Sequence, residues 1–504
     1  MLTDAQGTPL GVLAEQAEER FGAASTLVFE GREHTTGELG AWARRVGGGL
    51  RALGVGPGDR VAVCMANCPE VLVTYQASWR IGAVVTPLLF LLSEPELRHA
   101  LADSGAKVVV TTPEFAPKVA AAAAGLDTTV VVAGDAGSAV AFADLGTHAE
   151  AGLVTRATSE PAALLYTGGT TGRSKGVVLS QDAVSAAAWG GVKGAEDSEL
   201  DVSLVPLPLA HVFGLLVTSM SMHATRPSRT VLMRWFDPTG WLELVAAEGV
   251  QTSPVVPTML RVLLQFPLES YDLSRLQRLV SGSAPLPAEV FERWRERVPG
   301  VEIDEGYGCS ETCASGTVNR LGRARNGSVG VASPGMEVAV VDVESGAPVA
   351  AGVDGEICLK SASLMSGYWN DPSATAAAIR DGWFHTGDIG HLDDDGYLTI
   401  VDRLKDVIIR GGFNVYPRDV EEVLMTHPAV AVCAVVGRPD ADKGEEVVAF
   451  VQLLPDATVT TDDLVAFARG RLSAVKYPRD VRVVEAVPLT SVGKLDRKAL
   501  RSRL

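Results

Sequence analysis

Short unbroken apolar runs punctuate the first part of the chain: "RVAVCMA" (60–66), "KVVVTT" (107–112) and "TVVVAG" (129–134). Each lacks the polar alternation of a half-exposed strand, which predicts strands buried on both faces, as in a parallel sheet covered by helices. Between them, "PELRHALADSG" (95–105) predicts a helix that stops at its Gly. "KVAAAAAGL" (118–126) predicts another, because Ala is the strongest helix former. Strand and helix in alternation predict a layered α/β core with mostly parallel strands. No repeat at a fixed solenoid-like period is present. After about residue 330 the texture changes to short strands and tight turns: "GEICLKS", "YLTIVDRLKDVIIRGGFNVYP" and "AVCAVVGR". From near Lys405 to the C-terminus, about 100 residues remain, a normal size for a separate domain.

One polar stretch interrupts this pattern. "TGGTTGRSKG" (167–176) stands between the strand-like runs "AALLYT" and "GVVLS". Gly lets main-chain N–H groups approach a ligand closely. Hydroxyls add donors, and Arg173 and Lys175 add charge, a mixture that suits phosphate oxygens held in a nest of N–H groups. The P-loop spacing is not met, since Arg173 and Ser174 separate Gly172 from Lys175 and a strand follows instead of a helix. The dinucleotide fingerprint also fails, because "GVGPGDRVAV" (54–63) puts its glycines before a strand. A phosphate site of a third kind remains.

Composition narrows the setting. The 504 residues exceed one compact core, and 47% hydrophobic with 21% charged is an ordinary globular balance. A formal charge of −17 argues against a general nucleic-acid binder, while leaving room for small anionic substrates held by a few local cations. The N-terminal stretch is acidic where a signal peptide is basic then apolar. The longest apolar run, "AVVTPLLFLL" (83–92), is too short to span a bilayer. A soluble, cytoplasmic protein is therefore expected, with no membrane span; the oligomeric state is left open. Cys64 with Cys68 and Cys309 with Cys313 are spaced too loosely for a typical structural zinc site, so buried apolar thiols and no zinc are expected.

Further stretches converge on phosphate chemistry: "VPLPLAHVFG" (205–214), "DEGYGCSET" (304–312), "GWFHTGDIG" (382–390), "IVDRLKDVIIRGGFNVYP" (400–417) and "PLTSVGKLDRKAL" (488–500). In this order and at these intervals they resemble the adenylate-forming superfamily of acyl-CoA synthetases, peptide-synthetase adenylation domains and beetle luciferases. The resemblance covers residues from about 10 to 500. It implies a large layered N-terminal domain (1–403), with sheets flanked by helices plus a small β-barrel-like part. A small mobile α+β C-terminal domain (404–504) follows, hinged near Lys405. It also implies two half-reactions. A carboxylate attacks the α-phosphate of ATP to give acyl-adenylate and pyrophosphate, and a thiol then displaces AMP. ATP, Mg²⁺ and coenzyme A are the implied cofactors.

By the same resemblance, Thr167, Gly168, Gly169, Thr170, Thr171 and Lys175 cradle the triphosphate. Glu311 holds Mg²⁺, a hard oxygen for a hard cation. Ser310 replaces the usual Thr and keeps its hydroxyl. Tyr307, flanked by Glu305, Gly306 and Gly308, lies against adenine, with Gly282, Ser283, Ala284 and Pro285 as the adenine-side turn. Asp388 accepts from the ribose hydroxyls, and Arg403 supports ribose or phosphate. Lys494 bridges carboxylate and α-phosphate during adenylation, where a placed ammonium stabilises developing charge. Gly411 and Gly412 line the pantetheine tunnel, and Lys476 and Arg479 are CoA-phosphate partners. His211 is counted with Lys494, Glu311 and Thr167 among the catalytic residues, as a gate between acyl pocket and thiol tunnel, with general-base chemistry not claimed for it. The acyl pocket is expected from His211, Val212, Phe213, Trp235, Gly282, Ser283, Gly306 and Cys309. These supply no cation for a second carboxylate, although Arg234 and Arg261 are near in sequence, so an apolar monocarboxylic acid is expected over malonate. The short connection from Glu311 to "GSVGVASPG" (327–335) favours CoA as acceptor. An acyl carrier protein acting in trans stays open, because no thiolation domain follows residue 504. A luciferase-like oxygenase and a non-catalytic nucleotide binder are the other classes.

Overall fold

The computed structural model describes residues 7–167, 174–196, 199–455, 457–490 and 495–504. The chain divides into two compact units, Met1–Val338 with Leu359–Phe384, and Ala339–Cys358 with His385–Leu504. This division groups residues by packing. The expected 403/404 boundary falls within the second of these units.

In the first unit, one sheet runs in spatial order Gly367–Tyr368, Lys175–Ser180, Pro161–Thr167, Val84–Pro87, Arg60–Cys64, Val108–Thr111, Thr129–Val132 and Val140–Ala141. Its pairs are parallel from Pro161–Thr167 to Val140–Ala141, as the apolar runs predict. Val61, Val63, Val108, Val109 and Val110 are fully buried, which accounts for runs without a polar face. Helix Glu94–Ser104 ends at Gly105 in the left-handed region (φ 58°), the stop that the sequence predicts. Helix Ala116–Ala123 fills the Ala-rich stretch.

The second sheet of this unit runs Val331–Ala332, Gly316–Val318, Glu302–Gly308, Arg278–Ser281, Thr252–Val255, Val202–Val205, Arg229–Leu232, Ser25–Phe29 and Arg32–Thr35. The strands from Glu302–Gly308 to Ser25–Phe29 are parallel. Three of them, Val202–Val205, Arg278–Ser281 and Glu302–Gly308, deliver from their C-terminal ends the segments bearing His211, the 282–285 turn and Glu311. Ligands of open parallel sheets bind at such carboxyl ends. Below them, Arg278 Nε donates to Asp304 Oδ2 in a fully buried pair, and Arg278 Nη2 donates to the Asn319 carbonyl. Burial pushes the Asp304 carboxyl up to about 6, against the pull of Arg278. The pair ties together the two strands that lead into the 282–285 turn and the Glu311 segment.

In the second unit, Phe413–Val415, Ile408–Arg410, Gly444–Leu453 and Val430–Asp440 form a sheet, with Asp480–Val483 parallel to Gly444–Leu453. Helices Pro417–Met425 and Thr461–Arg469 place Val420, Leu424 and Leu464 in its core beside Ile408, Val435 and Val447. Gly411 (φ 59°) and Gly412 (φ 80°) join paired Arg410 and Phe413. A two-residue hairpin with both central residues at positive φ demands such glycines for its own geometry. Among the described residues, no helix is long and apolar enough to cross a membrane. Cys64 and Cys313 are buried, which pushes each thiol up to about 12.

Candidate active site

Strands Pro161–Thr167 and Lys175–Ser180 form an antiparallel pair, with Thr167 opposite Lys175. Gly168, Gly169, Thr170 and Thr171 lie outside the described residues. A third strand closes on the hairpin, where Tyr368 pairs with Val177 and Trp369 N donates to the Gly176 carbonyl at 2.7 Å. A Cβ on Gly176 would come within 2.9 Å of Leu164 Cδ1 and 3.0 Å of Trp369 Cβ, so a side chain there would have to shift its neighbours. His99 Nε2 meets the Ser174 carbonyl at 3.1 Å.

Glu311 occupies a single turn of 3₁₀ helix, Ser310–Thr312, directly after strand Glu302–Gly308. Cys313 and Ala314 follow with φ of 54° and 60°, a left-handed reversal that non-glycine residues seldom adopt. The chain doubles back so closely that a Cβ on Gly308 would lie 2.3 Å from the Ala314 carbonyl oxygen. Close backbone approach therefore fixes Gly308. Glu311 Oε1 accepts from the Tyr368 hydroxyl at 2.9 Å, and the Glu311 carbonyl accepts from Met365 N at 2.7 Å. The Lys175 ammonium stands 5.0 Å from the centroid of the same Tyr368 ring. The hairpin cation and the carboxylate thus share one neighbour, all within the first unit. A half-buried carboxylate next to a lysine at a phosphate-type loop fits Mg²⁺ and a triphosphate.

In the turn expected to receive adenine, Glu305 Oε2 accepts from Leu286 N at 3.0 Å, which pins residues 282–286 to the neighbouring strand. Within that turn Ser283 has φ 69°, backbone strain of the kind that clusters at ligand sites. The structure therefore gives Glu305 a turn-holding contact.

His211 is the N-cap of helix Val212–Met220, where its Nδ1 accepts from Phe213 N at 3.4 Å. That contact calls for the tautomer protonated on Nε2. Gly214 is required because its Cβ would meet Leu209 Cα at 2.3 Å. The loop before His211 is held by a buried Asn67. Its Nδ2 donates to the Leu207 and Met233 carbonyls, and its Oδ1 accepts from Leu209 N. Tyr75 adds a bond from its hydroxyl to the Leu209 carbonyl. Val212 is buried in the main core, and Cys309 Sγ lies 3.3 Å from Thr312 Oγ1. Trp235 is 45% exposed and packs against Arg234. Arg234 itself is tied to Glu30 and Glu114, so it forms part of a surface charge cluster.

In the second unit, Asp388 pairs in register with Arg403, and Asp388 Oδ1 lies 3.3 Å from Arg403 Nε. The preceding turn is wired to buried Glu356, whose Oε2 meets His385 Nδ1 at 2.8 Å and whose Oε1 accepts from Gly387 N at 3.2 Å. Thr386 Oγ1 donates to the Ile357 carbonyl and accepts from Asp388 N. Cys358 Sγ lies 3.5 Å from His385 Nδ1, which makes Glu356, Cys358 and His385 a compact donor group. The shared Glu356–His385 bond accounts for this group as the support of the Asp388 turn. Lys405 lies in a 3₁₀ turn, Leu404–Asp406. Asp406 is buried and bonds Arg501 at 2.8 Å, and Arg497 doubly bonds Glu421. Lys494 lies outside the described residues, while Leu489 and Leu495 on either side of it pair. Lys476 bonds Asp419, and the Arg479 guanidinium lies over the Tyr477 ring while donating to the Tyr477 and Ala474 carbonyls. Both cations already hold local structure, and a CoA phosphate would have to draw them away from it.

The AMP-binding enzyme family model matches residues 13–369, and the AMP-binding enzyme C-terminal domain matches 419–494. A feruloyl-CoA synthase from Amycolatopsis sp is 39% identical over 488 residues, covering 95% of this chain and 96% of that protein. A long-chain-fatty-acid–CoA ligase from Bacillus subtilis (strain 168) is 34% identical, with 95% and 92% covered. The crystal structure of ATP-bound MatB from Rhodopseudomonas palustris superposes with a TM-score of 0.89 at 33% identity, covering 98% of each chain. The chain belongs to the AMP-binding enzyme family. Within it, the protein is an adenylate-forming acyl-CoA synthetase, an AMP-forming acid–thiol ligase that uses ATP, Mg²⁺ and CoA.

Proposed function

We propose that the protein activates an apolar monocarboxylic acid, of aryl-propenoic or fatty type, and passes the acyl group to the thiol of CoA. The observation that carries this reading is the shared contact of Lys175 and Glu311 with Tyr368, which unites the phosphate hairpin and the metal-type carboxylate. Bound Mg²⁺ would neutralise triphosphate charge there. Thr167 and Lys175 hold the triphosphate, Tyr307 and the 282–285 turn receive adenine, and Asp388 with Arg403 receives the ribose. Lys494 approaches the reacting oxygens in the first half-reaction. Small-domain rotation at Lys405 then brings the Gly411–Gly412 turn to the thiol path for the second, which places the mobile domain at 404–504.

For the acid, helix Val212–Met220 ("VFGLLVTSM") carries no charge, and Arg234 is engaged by Glu30 and Glu114. A second carboxylate in the acid would find no cation on that helix and would lose binding energy there. The feruloyl-CoA synthase and long-chain-fatty-acid–CoA ligase relatives support the same choice. For the acceptor, the connection between Glu311 and residue 327 is short and packed, with Asn319 donating to the Ser328 carbonyl at 2.7 Å. This supports CoA over a carrier protein. A panel of ferulate, 4-coumarate, octanoate, palmitate and malonate with ATP, Mg²⁺ and either CoA or a phosphopantetheinylated carrier, scored by thioester mass, tests both choices. Aromatic or fatty acyl-CoA is expected. Malonate as the preferred acid would overturn the pocket reading, and thioester formed on the carrier alone would overturn the acceptor.

A further inference from the structure

The segment Met365–Trp369 straps two parts of the site together. Its main chain holds the hairpin through Ser366 N to the Val178 carbonyl and Trp369 N to the Gly176 carbonyl. It holds the Glu311 turn through Met365 N to the Glu311 carbonyl. From the middle of this strap, the half-buried Tyr368 side chain reaches both charged groups: its ring lies under the Lys175 ammonium and its hydroxyl bonds Glu311 Oε1. Its backbone is fixed on both sides, by the pairing with Val177 and by a 2.8 Å bond from its own N to Thr375 Oγ1. A Phe would pack the ring equally well, so the hydroxyl needs its own reason. A half-buried hydroxyl costs free energy unless it is bonded, and here the bond goes to a carboxylate, a stronger acceptor than a neutral oxygen. A tyrosine hydroxyl is a donor near neutral pH, and a carboxylate only accepts, so the direction of this bond is fixed.

We propose that Tyr368 is a positioning residue for the metal-bearing triphosphate: its hydroxyl fixes the rotamer of Glu311, and its ring fixes the ammonium of Lys175. The inference rests on the reading of Glu311 as the Mg²⁺ carboxylate. One hydroxyl takes a single acceptor site on Oε1 and leaves the remaining sites of the carboxylate for a hard cation. Partners that orient a metal ligand through a hydrogen bond change metal affinity about 10–100-fold when removed. The ring contact acts on a different group, so hydroxyl and ring are separable by substitution.

The test measures ATP binding by titration calorimetry, without acid or CoA, across a series of Mg²⁺ concentrations, for the wild type, Tyr368→Phe, Tyr368→Leu and Glu311→Gln. Thermal melting confirms that each variant folds. Tyr368→Phe should raise the Mg²⁺ concentration needed for half-maximal ATP affinity by at least about tenfold. Its ATP affinity without Mg²⁺ should stay within about twofold, because the ring remains. Tyr368→Leu should also weaken metal-free binding, through loss of the contact with Lys175. If Glu311→Gln shifts the Mg²⁺ requirement and Tyr368→Phe does not, Tyr368 is only a packing residue of the strap and the inference fails. If Glu311→Gln leaves the requirement unchanged, the metal reading of Glu311 fails first and the inference falls with it.

Discussion

Lys494→Ala should slow acyl-adenylate formation by about 10²–10³-fold, the usual loss when one placed electrostatic contact to a developing charge is removed, about 3–4 kcal/mol. In the reaction the carboxylate oxygen attacks the α-phosphate, and negative charge spreads over the oxygens around phosphorus. An ammonium that meets both reactants there lowers the barrier and contributes less to ground-state binding, so kcat should fall far more than KM for ATP rises. On the proposed reading the lysine travels with the mobile domain, so it would serve only the conformation that brings it in. Thioester formation from pre-made acyl-adenylate and CoA should therefore stay within a few-fold of the wild type. Single-turnover assays of the two half-reactions read this directly. Equal loss in both steps would reject a conformation-specific role, and no loss in either would return Lys494 to the surface cations of "KLDRKALRSR".

Lys405→Pro should show the opposite split. Pro fixes φ near −65° and removes an N–H, so a residue that must change its dihedrals during domain rotation becomes locked. Lys405 lies in the 3₁₀ turn Leu404–Asp406, and the first residues of a helical turn have no internal partner for their N–H. The lost donor therefore costs little. Leu404 is more constrained, because a residue before Pro disfavours the helical region. If one conformation is trapped, adenylation should proceed near the wild-type rate while thioester formation falls on the order of 10²-fold, the scale of a misplaced reacting group. Lys405→Ala, which removes the ammonium and keeps backbone freedom, should leave both steps within a few-fold. Parallel losses in Lys405→Pro with a lowered melting temperature would mean that the turn itself broke, and Lys405 would not be the hinge.

The strands and helices of the first unit were legible because their cause is local and repetitive. Val-rich runs without alternation have no solvent face to serve, and Gly105 offers the left-handed stop that its helix uses. The motif residues were legible through their register with a known family. Their supports were not. Asn67, Glu356, His385 and Tyr368 carry the contacts that hold the His211 loop, the Asp388 turn and Glu311, yet each partner lies far away in sequence. A polar residue inside a buried run, such as Asn67 in "VAVCMANCPE", was the one signal available. It marks a satisfied buried amide without saying what the amide holds. Glycines taught a similar lesson. Gly308 is fixed by close packing, and Gly411 and Gly412 by positive φ, so their small size answers to the backbone before any ligand. Trp235, expected in the acyl pocket, is 45% exposed and lies beside Arg234, which Glu30 and Glu114 engage.

The central claim is that the acid is activated by attack on the α-phosphate. The most direct measurement uses an accepted acid labelled with ¹⁸O in both carboxylate oxygens, incubated with ATP, Mg²⁺ and CoA, with the products resolved by mass. Attack at the α-phosphate leaves one carboxylate oxygen in the nucleotide product. The account predicts AMP carrying a single ¹⁸O, unlabelled pyrophosphate, and a thioester that retains the other label. ADP with ¹⁸O in inorganic phosphate would mean attack at the γ-phosphate and would contradict it.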